Sequence, residues 1–273
     1  KYTGYTAPEE SEYDLFKVGH TSTSIALATG LAKARDLKGD KENVIAFIGD
    51  GAIANGISFE ALNDISLEKH KVIIILNDND MAINRSVGAM ANALSKIRTS
   101  KSYAIAKNGF IGFFNKIPVI GPKFVNFMHR LIHRLVLIFR SDNIFDNFNI
   151  SYLGPVDGHN FKALEKAFKK AKKFPNSIIV HVKTTKGNGY KIFENDKNGT
   201  FHGVAPFDVN TGRKLEKIQD GYTAYSNVYA DCIYDSLKNN ENIFLISAAM
   251  ITGASLENCF KDFPTRCVDV GIA

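Results

Sequence analysis

Short apolar runs alternate with amphipathic stretches along much of this chain. The runs at 44–48 and 72–76, and a further one within 177–184, are typical of buried strands in a parallel sheet. Apolar residues recur at helical spacing over 22–37 and 56–66, and the hydroxyls of "TSTS" offer caps for the first of these helices. Because strand and helix alternate, the pattern predicts an α/β fold with a doubly wound, mostly parallel sheet.

A stretch rich in Gly, Asn and Asp between 187 and 221 interrupts this alternation, as a linker or a site loop would. The alternation then resumes with a helix, a strand, a helical piece and a strand, at 225–237, 242–247, 255–260 and 267–271. About fifty residues are few for an independent α/β domain. We therefore predict a first domain at 1–206, a linker at 207–220, and the N-terminal part of a second α/β domain, truncated, at 221–273.

The densest positive charge lies in the lysine-rich stretch 162–173. On a helix, Phe161, Leu164, Phe168 and Ala171 share one face, and most lysines lie elsewhere. We interpret the stretch as a solvated helix face rather than a nucleic-acid surface, because it has no arginine and its aromatic residues are not among the lysines. The net charge of +6 also suits an anionic, phosphorylated ligand.

Cysteine usage and hydropathy exclude some classes of protein. Cys232, Cys259 and Cys267 have no metal or redox spacing, and their odd count argues against a disulfide framework. No apolar run reaches about 18 residues, so no membrane-spanning helix is expected. The segment 131–139 is too short to span a bilayer. It could form a basic amphipathic helix on a membrane surface, although a helix packed over the domain is the simpler interpretation.

Polar groups follow two of the predicted strands where each ends. Asp50 follows the first strand, and the "NDND" loop at 77–80 follows the second. Carboxyl ends of parallel strands line the crevice where ligands bind, so these groups should converge. A carboxylate, an amide oxygen and a backbone carbonyl are ligands that suit Mg²⁺ beside phosphate oxygens. Gly51 permits a tight turn, and the helix that starts near Gly56 points its amide end toward an anion.

A simpler interpretation of the same residues is open at this point. Asp50 could merely cap the following helix, and "NDND" could be only a turn. The Asp-Gly pair alone favours that interpretation, whereas the paired arrangement at two strand ends favours the metal site.

Several stretches, in order, resemble the 1-deoxy-D-xylulose-5-phosphate synthase family, transketolase-like enzymes that use thiamine diphosphate. They are "SEYDLFKVGHTSTSIALATGLA", "GDGAIANGISFEALND", "LNDNDMAINRSVGAM", "YLGPVDGHN", "TTKGNGY" and "FHGVAPFD". The resemblance covers essentially the whole chain except a variable, helical segment near 100–148. It implies that 1–206 is the diphosphate-binding domain and that 221–273 begins the pyrimidine-binding domain.

The resemblance also assigns roles to individual residues. It implies that Mg²⁺ is bound by Asp50, by the Asn79 side chain and by the Met81 carbonyl. It implies catalytic roles in proton transfer for His20 and His202. The implied contacts with the cofactor are made by Gly19, His20, Thr21, Asp50, Gly51, Ala52, Asn79, Met81 and Tyr190. The chain departs from the usual family pattern at Asp80 and Ala82, and neither position is an implied metal ligand.

Structural explanations for three of these residues stay open. His20 could be a loop residue before a capped helix, Tyr190 could be core packing, and His202 could be a surface residue in a polar stretch. The Asp157-Gly158-His159 run is better explained by a turn before a helix, with Asp157 or Asn160 as the cap, than by a catalytic pair.

The family's reaction condenses pyruvate with glyceraldehyde 3-phosphate and releases CO₂, for the biosynthesis of isoprenoid precursors, thiamine and pyridoxal. The resemblance implies thiamine diphosphate and Mg²⁺ as cofactors and a homodimer when full length, with no nucleic-acid partner. A bacterial cytoplasmic location is expected, and a plastid-type organelle is the alternative. Other possibilities are another transketolase-like thiamine-diphosphate enzyme, or a non-catalytic module for a phosphorylated ligand or a partner protein.

The family places a glutamate that activates the cofactor directly after a strand resembling "VDVGIA", where this chain has its last residue, Ala273. We therefore expect a fragment that lacks N- and C-terminal parts of the protein and is inactive, or nearly so, alone. The alternative is a natural half-enzyme, although such a protein would be expected to divide within the linker.

Overall fold

The computed structural model describes residues 4–67, 70–79, 145, 148, 150–196, 201–204, 206–215 and 219–272. Its helices there are α1 (Ser24–Lys38), α2 (Asp50–Ile53), α3 (Gly56–Leu67), α4 (Phe161–Lys173), α5 (Lys191–Glu194), α6 (Tyr225–Asn239) and α7 (Glu257–Asp262). Its strands are β1 (Val44–Gly49), β2 (Val72–Asp78), β3 (Ser151–Asp157), β4 (Ile178–Lys183), β5 (Leu245–Ser247) and β6 (Cys267–Asp269). The predictions for Met81, for the helix at 131–139 and for most of 100–148 lie outside the described residues.

The larger sheet has four parallel strands in the order β1-β2-β4-β3. In its register Gly49 pairs with Asn77, and Asp78 pairs with Lys183. The carboxyl ends of all four strands therefore lie along one edge. A second, two-stranded parallel sheet pairs β5 with β6. These sheets and their flanking helices confirm the predicted α/β fold with a mostly parallel sheet, whereas the domain boundaries stay a prediction.

Helices pack on both faces of the larger sheet. On one face, α1 and α3 cover a cluster that includes Ile25, Leu62 and Leu76, each with no exposed surface. On the other face, α4 packs on β3 and β4 through Ala167 and Ala171. Apolar periodicity alone predicted both helix faces, because each element buries the side that carries its apolar residues.

Two predictions about packing are wrong in detail. β1 was expected to be covered on both faces, yet Ile45 is 54% and Phe47 63% exposed, because α4, the described helix on that face, packs on β3 and β4 at the other end of the sheet. Phe161 was expected on the buried face of the lysine-rich helix and is 85% exposed, because it is the first residue of α4 and lies beyond the sheet contact.

The expected hydroxyl cap of α1 is also wrong. The N-cap residue is Thr23, and its side chain makes no capping hydrogen bond. Thr23 Oγ1 instead donates to the His20 carbonyl at 3.5 Å, which holds the preceding "GHT" segment against the helix start. The cap that the sequence predicted for α4 is confirmed, since Asn160 Oδ1 accepts from the Ala163 N–H at 3.1 Å.

Strand β3 was not predicted. Its sequence, "SYLGPVD", contains glycine and proline, which normally argue against a strand. The structure shows why glycine is needed there: Gly154 has φ +152°, and a Cβ at this position would lie 2.6 Å from the His181 carbonyl oxygen. Glycine thus lets β3 approach β4 closely at an irregular point in the ladder.

The smaller sheet has its own core. Leu237 on α6, Leu256 before α7, Cys259 and Cys267 are buried together there. All three cysteines are free thiols, as the sequence predicted. Among the described residues, no helix is long and apolar enough to cross a membrane.

Candidate functional site

Asp50 and Asn79 lie at the carboxyl ends of adjacent strands. Gly49, the last residue of β1, pairs with Asn77 of β2, so Asp50 and Asn79 follow directly at the same edge of the sheet. Asp50 begins the short helix α2, which contacts β2, and it is only 7% exposed. The N-cap of α2 is Gly49, and Asp50 is the acidic residue in the first turn of that helix.

A buried hydroxyl joins the "GHTS" segment to the Gly-Asp-Gly turn. Ser58 Oγ, on α3, lies 3.0 Å from the Ser22 carbonyl oxygen and 3.1 Å from the Ala52 carbonyl oxygen. Ser58 has no exposed surface. Through this contact the structure brings Ser22, which directly follows the exposed residues Gly19, His20 and Thr21, close to Ala52.

Ser22 is the unusual residue of that segment. It has φ +75°, a left-handed conformation that is uncommon for a residue with a side chain. It is 5% exposed, and its hydroxyl has no hydrogen-bond partner among the described residues. Among the described residues, nothing lies within 4 Å of the position that a Cβ would take at Gly19 or Gly49. An orphaned buried hydroxyl, open space and a buried carboxylate beside an amide side chain fit a phosphorylated group held through a hard cation.

Strand β4 buttresses the end of β2. Thr184 Oγ1 donates to Asn77 Oδ1 at 2.8 Å, and the Thr184 N–H donates to the Asp78 carbonyl at 2.9 Å. On the opposite face of the sheet, the buried Asp78 carboxylate lies 2.8 Å from Nε2 of His181. The residue before Asn79 is therefore held by both its backbone and its side chain.

Tyr190 and His202 belong to a second group of residues. Rings of Tyr190, Phe193, Phe201 and Phe207 pack together, with 3.9 Å between the centroids of Phe193 and Phe201. Tyr190 donates its hydroxyl to the Val209 carbonyl. This packing brings the "KGNGY" and "FHG" motifs together, and it also supports the interpretation of Tyr190 as a packing residue. The chain between Thr184 and Tyr190 connects this group to the end of β2.

His202 carries a neighbouring cation. Lys186 Nζ lies 3.4 Å from His202 Nδ1. Partial burial, and secondly the charge of Lys186, lower the pKa of the His202 imidazole below its usual range. The ring is therefore neutral at neutral pH, and Nδ1 can accept from Lys186 while Nε2 carries the proton.

The Asp157-Gly158-His159 run forms a turn, as predicted. Asp157 Oδ1 accepts from the His159 N–H at 2.9 Å, and His159 Nε2 accepts from the Thr185 N–H at 2.8 Å. His159 thus ties the end of β3 to the end of β4, a structural role at the same sheet edge.

Sequence reasoning missed several polar residues in or near this part of the molecule: Ser22, Ser58, Asp78 as a buried carboxylate, His181, and Tyr152 near the start of β3. The one signal available was His181 itself, a polar side chain within the apolar run "IIVHV". Among the described residues no group of three or more His, Cys, Asp or Glu could hold a metal ion. The predicted site requires no such group, since its side-chain ligands are one carboxylate and one amide.

Residues 2–184 match the family model described as 1-deoxy-D-xylulose-5-phosphate synthase. Proteins with that name from Clostridium kluyveri and Halalkalibacterium halodurans are 43% and 42% identical to 99% of this chain. One from Natranaerobius thermophilus is 41% identical over 273 residues. The chain spans 43% of the length of each of these relatives. With a family model matching most of its length, the chain belongs to the 1-deoxy-D-xylulose-5-phosphate synthase family.

Proposed function

We propose that the protein to which this chain belongs condenses pyruvate with glyceraldehyde 3-phosphate, with release of CO₂, and that this chain binds thiamine diphosphate through Mg²⁺. The observation that carries the proposal is the placement of the buried Asp50 and of Asn79 at adjacent strand ends of a parallel sheet. The names of the relatives support the same activity. The product is a precursor for isoprenoid, thiamine and pyridoxal biosynthesis.

In this proposal Asp50 and Asn79 supply a carboxylate and an amide oxygen to Mg²⁺, and the Met81 carbonyl is a further ligand. Gly51 and Ala52 contact the diphosphate through their backbone. Gly19 and Thr21 line the pocket, and the Ser58 contacts support this because they join the two segments.

In this proposal Tyr190, His20 and His202 act near the reacting part of the cofactor and the substrate. Bound thiamine diphosphate would supply the electron sink for the decarboxylation of pyruvate. Tyr190 contacts the cofactor, and His20 and His202 transfer protons. The neutral state of His202 supports its part, because a neutral imidazole can accept a proton at neutral pH. We further propose a homodimer in the bacterial cytoplasm, as the family resemblance implies.

Isothermal titration calorimetry of the chain with thiamine diphosphate tests the cofactor site. We expect binding that requires Mg²⁺ and disappears in Asp50→Ala, because the buried carboxylate is the only charged side-chain ligand proposed. The matched control is Asp64→Ala, which removes a carboxylate that pairs with Lys33 on the exposed side of α3. Asp64→Ala should bind as the wild type does.

Two results would contradict the proposal. Binding that survives removal of Mg²⁺ would instead favour a phosphate-binding module without a metal. Failure of Asp50→Ala to weaken binding would remove Asp50 from the site. In the whole protein, Asp50→Ala should abolish turnover of pyruvate with glyceraldehyde 3-phosphate, and Asp64→Ala should retain it.

A further inference from the structure

Two buried polar side chains, Asp78 and His181, and the partly buried Tyr152 form a continuous hydrogen-bonded network across strands β2, β4 and β3. His181 Nε2 lies 2.8 Å from Asp78 Oδ2, and His181 Nδ1 lies 2.6 Å from the Tyr152 hydroxyl oxygen. Asp78 and His181 have no exposed surface. The strand register places all three side chains on one face of the sheet, the face that α1 and α3 cover.

The Tyr152 hydroxyl is the hydrogen-bond donor at one end of this network. Burial, and secondly the Asp78 carboxylate, raise the pKa of Tyr152 far above its usual range, so the phenol keeps its proton. The Tyr152 hydroxyl can therefore donate to Nδ1 of His181, and Nε2 of His181 can donate to the Asp78 carboxylate. Each of these polar groups then has a hydrogen-bond partner.

Ring packing holds Tyr152, at one end of this hydrogen-bonded network, in place. The Tyr152 ring stacks on Phe145 with 6.1 Å between centroids and 9° between planes, and Phe145 has no exposed surface. The Tyr152 and His181 rings meet edge to face at 5.8 Å. The hydroxyl is therefore held in place by the core, and it can orient the imidazole.

The other end of the network is Asp78, the residue directly before Asn79. Asp78 is bound through its carboxylate to His181 and through its carbonyl to the Thr184 N–H, while Asn77 is bound to the Thr184 hydroxyl. A buried carboxylate lowers the stability of the fold unless it is well paired. The pairing of Asp78 uses side chains from three strands, which points to a role for this residue other than stabilising the fold.

We propose that Asp78, His181 and Tyr152 are positioning residues that hold the carboxyl end of β2 so that Asn79 presents its amide oxygen to Mg²⁺. This inference rests on the proposed function. Mg²⁺ demands nearly ideal octahedral geometry, whereas Ca²⁺ accepts flexible arrangements of oxygen ligands. A loosened Asn79 should therefore lose affinity for Mg²⁺ more than for Ca²⁺.

The test variant is Tyr152→Phe, which removes the hydroxyl, keeps the stacked ring and leaves the net charge unchanged. The matched control is Tyr234→Phe, since the Tyr234 hydroxyl also donates a side-chain hydrogen bond, to the exposed Asp262 carboxylate at 2.9 Å, near the smaller sheet. For each chain, calorimetry measures the Kd of thiamine diphosphate in Mg²⁺ and in Ca²⁺. Melting temperatures report folding separately.

In Tyr152→Phe we expect the Kd measured in Mg²⁺ to rise about tenfold. This is the low end of the loss in metal affinity that follows when a residue supporting a metal ligand is removed. The Kd in Ca²⁺ should rise much less, and Tyr234→Phe should change neither. His181→Gln keeps an N–H for Asp78 but cannot accept from Tyr152 as the imidazole does. His181→Gln should produce a similar loss of affinity in Mg²⁺. The double variant Tyr152→Phe/His181→Gln should lose less binding free energy than the two single variants together, because the residues act as one unit.

If the ratio of the Kd in Mg²⁺ to the Kd in Ca²⁺ stays unchanged in both variants, whether or not affinity is lost with both ions, the inference is overturned. That result would indicate a purely structural network. A wild-type chain that shows no metal-dependent binding would overturn the proposed function as well. The two failures are distinguishable because only the second changes the wild-type titration.

Discussion

At the scale of single residues, His202 shows how a neighbour changes what a side chain can do. In the sequence it is a histidine in a polar stretch, for which a surface role is the simplest explanation. In the structure its motif packs with the aromatic group of Tyr190, and Lys186 lies beside its Nδ1 atom. A lysine next to a histidine disfavours the imidazolium, which keeps the ring available as a proton acceptor.

Removal of that cation should be measurable. In Lys186→Met we expect the pKa of His202 to rise toward the usual histidine range, although partial burial, the larger cause, still holds it somewhat low. The pKa of His202 is lower in the folded chain than in the unfolded chain, so its protonation lowers the free energy of unfolding as the pH falls below about 6.5. Lys186→Met should reduce this loss of stability.

The measurement is an NMR titration of the histidine Cε1–H signals. Lys191→Met on α5 is the matched control, and it should leave the His202 signal unchanged. A His202 midpoint that does not move in Lys186→Met would show that Lys186 has no influence on it.

At the scale of elements, an acidic residue ties the end of α1 to the start of β2. Asp36 accepts from Arg35 Nε at 2.7 Å and pairs with His70 Nδ1 at 2.6 Å. Arg35 also donates to the Lys71 carbonyl at 3.2 Å. Hydrogen bonds from Arg35, then from His70, lower the pKa of Asp36 to about 2 from 3.8.

This shift makes a pH-dependent contribution to stability. The carboxylate form is favoured in the folded state, so its contribution is present above about pH 4 and is lost as the pH falls toward about 2. Asp36→Asn should therefore lower the melting temperature at pH 7, and the difference from the wild type should shrink below about pH 4.

Thermal denaturation followed by circular dichroism checks this prediction. The control is Glu165→Gln, which removes an exposed pair with Lys169 on α4 and should change the melting temperature little. A difference between Asp36→Asn and wild type that stays constant from pH 7 to about pH 3 would contradict it.

At the scale of the whole molecule, separate hydrophobic clusters surround the two sheets. Leu62 belongs to a large cluster under α1 and α3, whereas Leu237 belongs to a small one between α6, α7 and the smaller sheet. Both side chains are fully buried. The smaller cluster has few members, and a two-stranded sheet is marginal alone, so we expect this part to open at lower free energy.

Leu237→Ala should speed hydrogen exchange in α6, β5 and β6 and leave β1, β2 and β4 protected. Removal of a buried leucine side chain costs about 2–5 kcal/mol, so the part of the chain around the smaller sheet should open much more often. Leu62→Ala is the matched variant, and it should speed exchange in α1 and α3. Exchange is measured by mass spectrometry of peptides. Faster exchange in both sheets of Leu237→Ala would contradict the predicted division of the chain into two domains.

The sequence by itself determined the α/β class, most helices and strands of the larger sheet, and the placement of Asp50 and the "NDND" loop at strand ends along one edge of the sheet. These features depend on local periodicity and on the rule that parallel strands end at one edge. Ile45, Phe47 and Phe161 were placed wrongly because exposure depends on strand order and on where a helix meets the sheet, which periodicity does not contain.

Only the tertiary structure decided which distant polar groups meet. Asp78 and His181 are 103 positions apart in the sequence, and Ser58 and Ser22 are 36 apart. The order β1-β2-β4-β3 brings the first pair side by side, and the packing of α3 against α1 brings the second. A local pattern shows that a polar residue lies in an apolar run. Its partner is chosen by the arrangement of strands and helices, because a buried polar group must be satisfied by whichever neighbour the fold supplies.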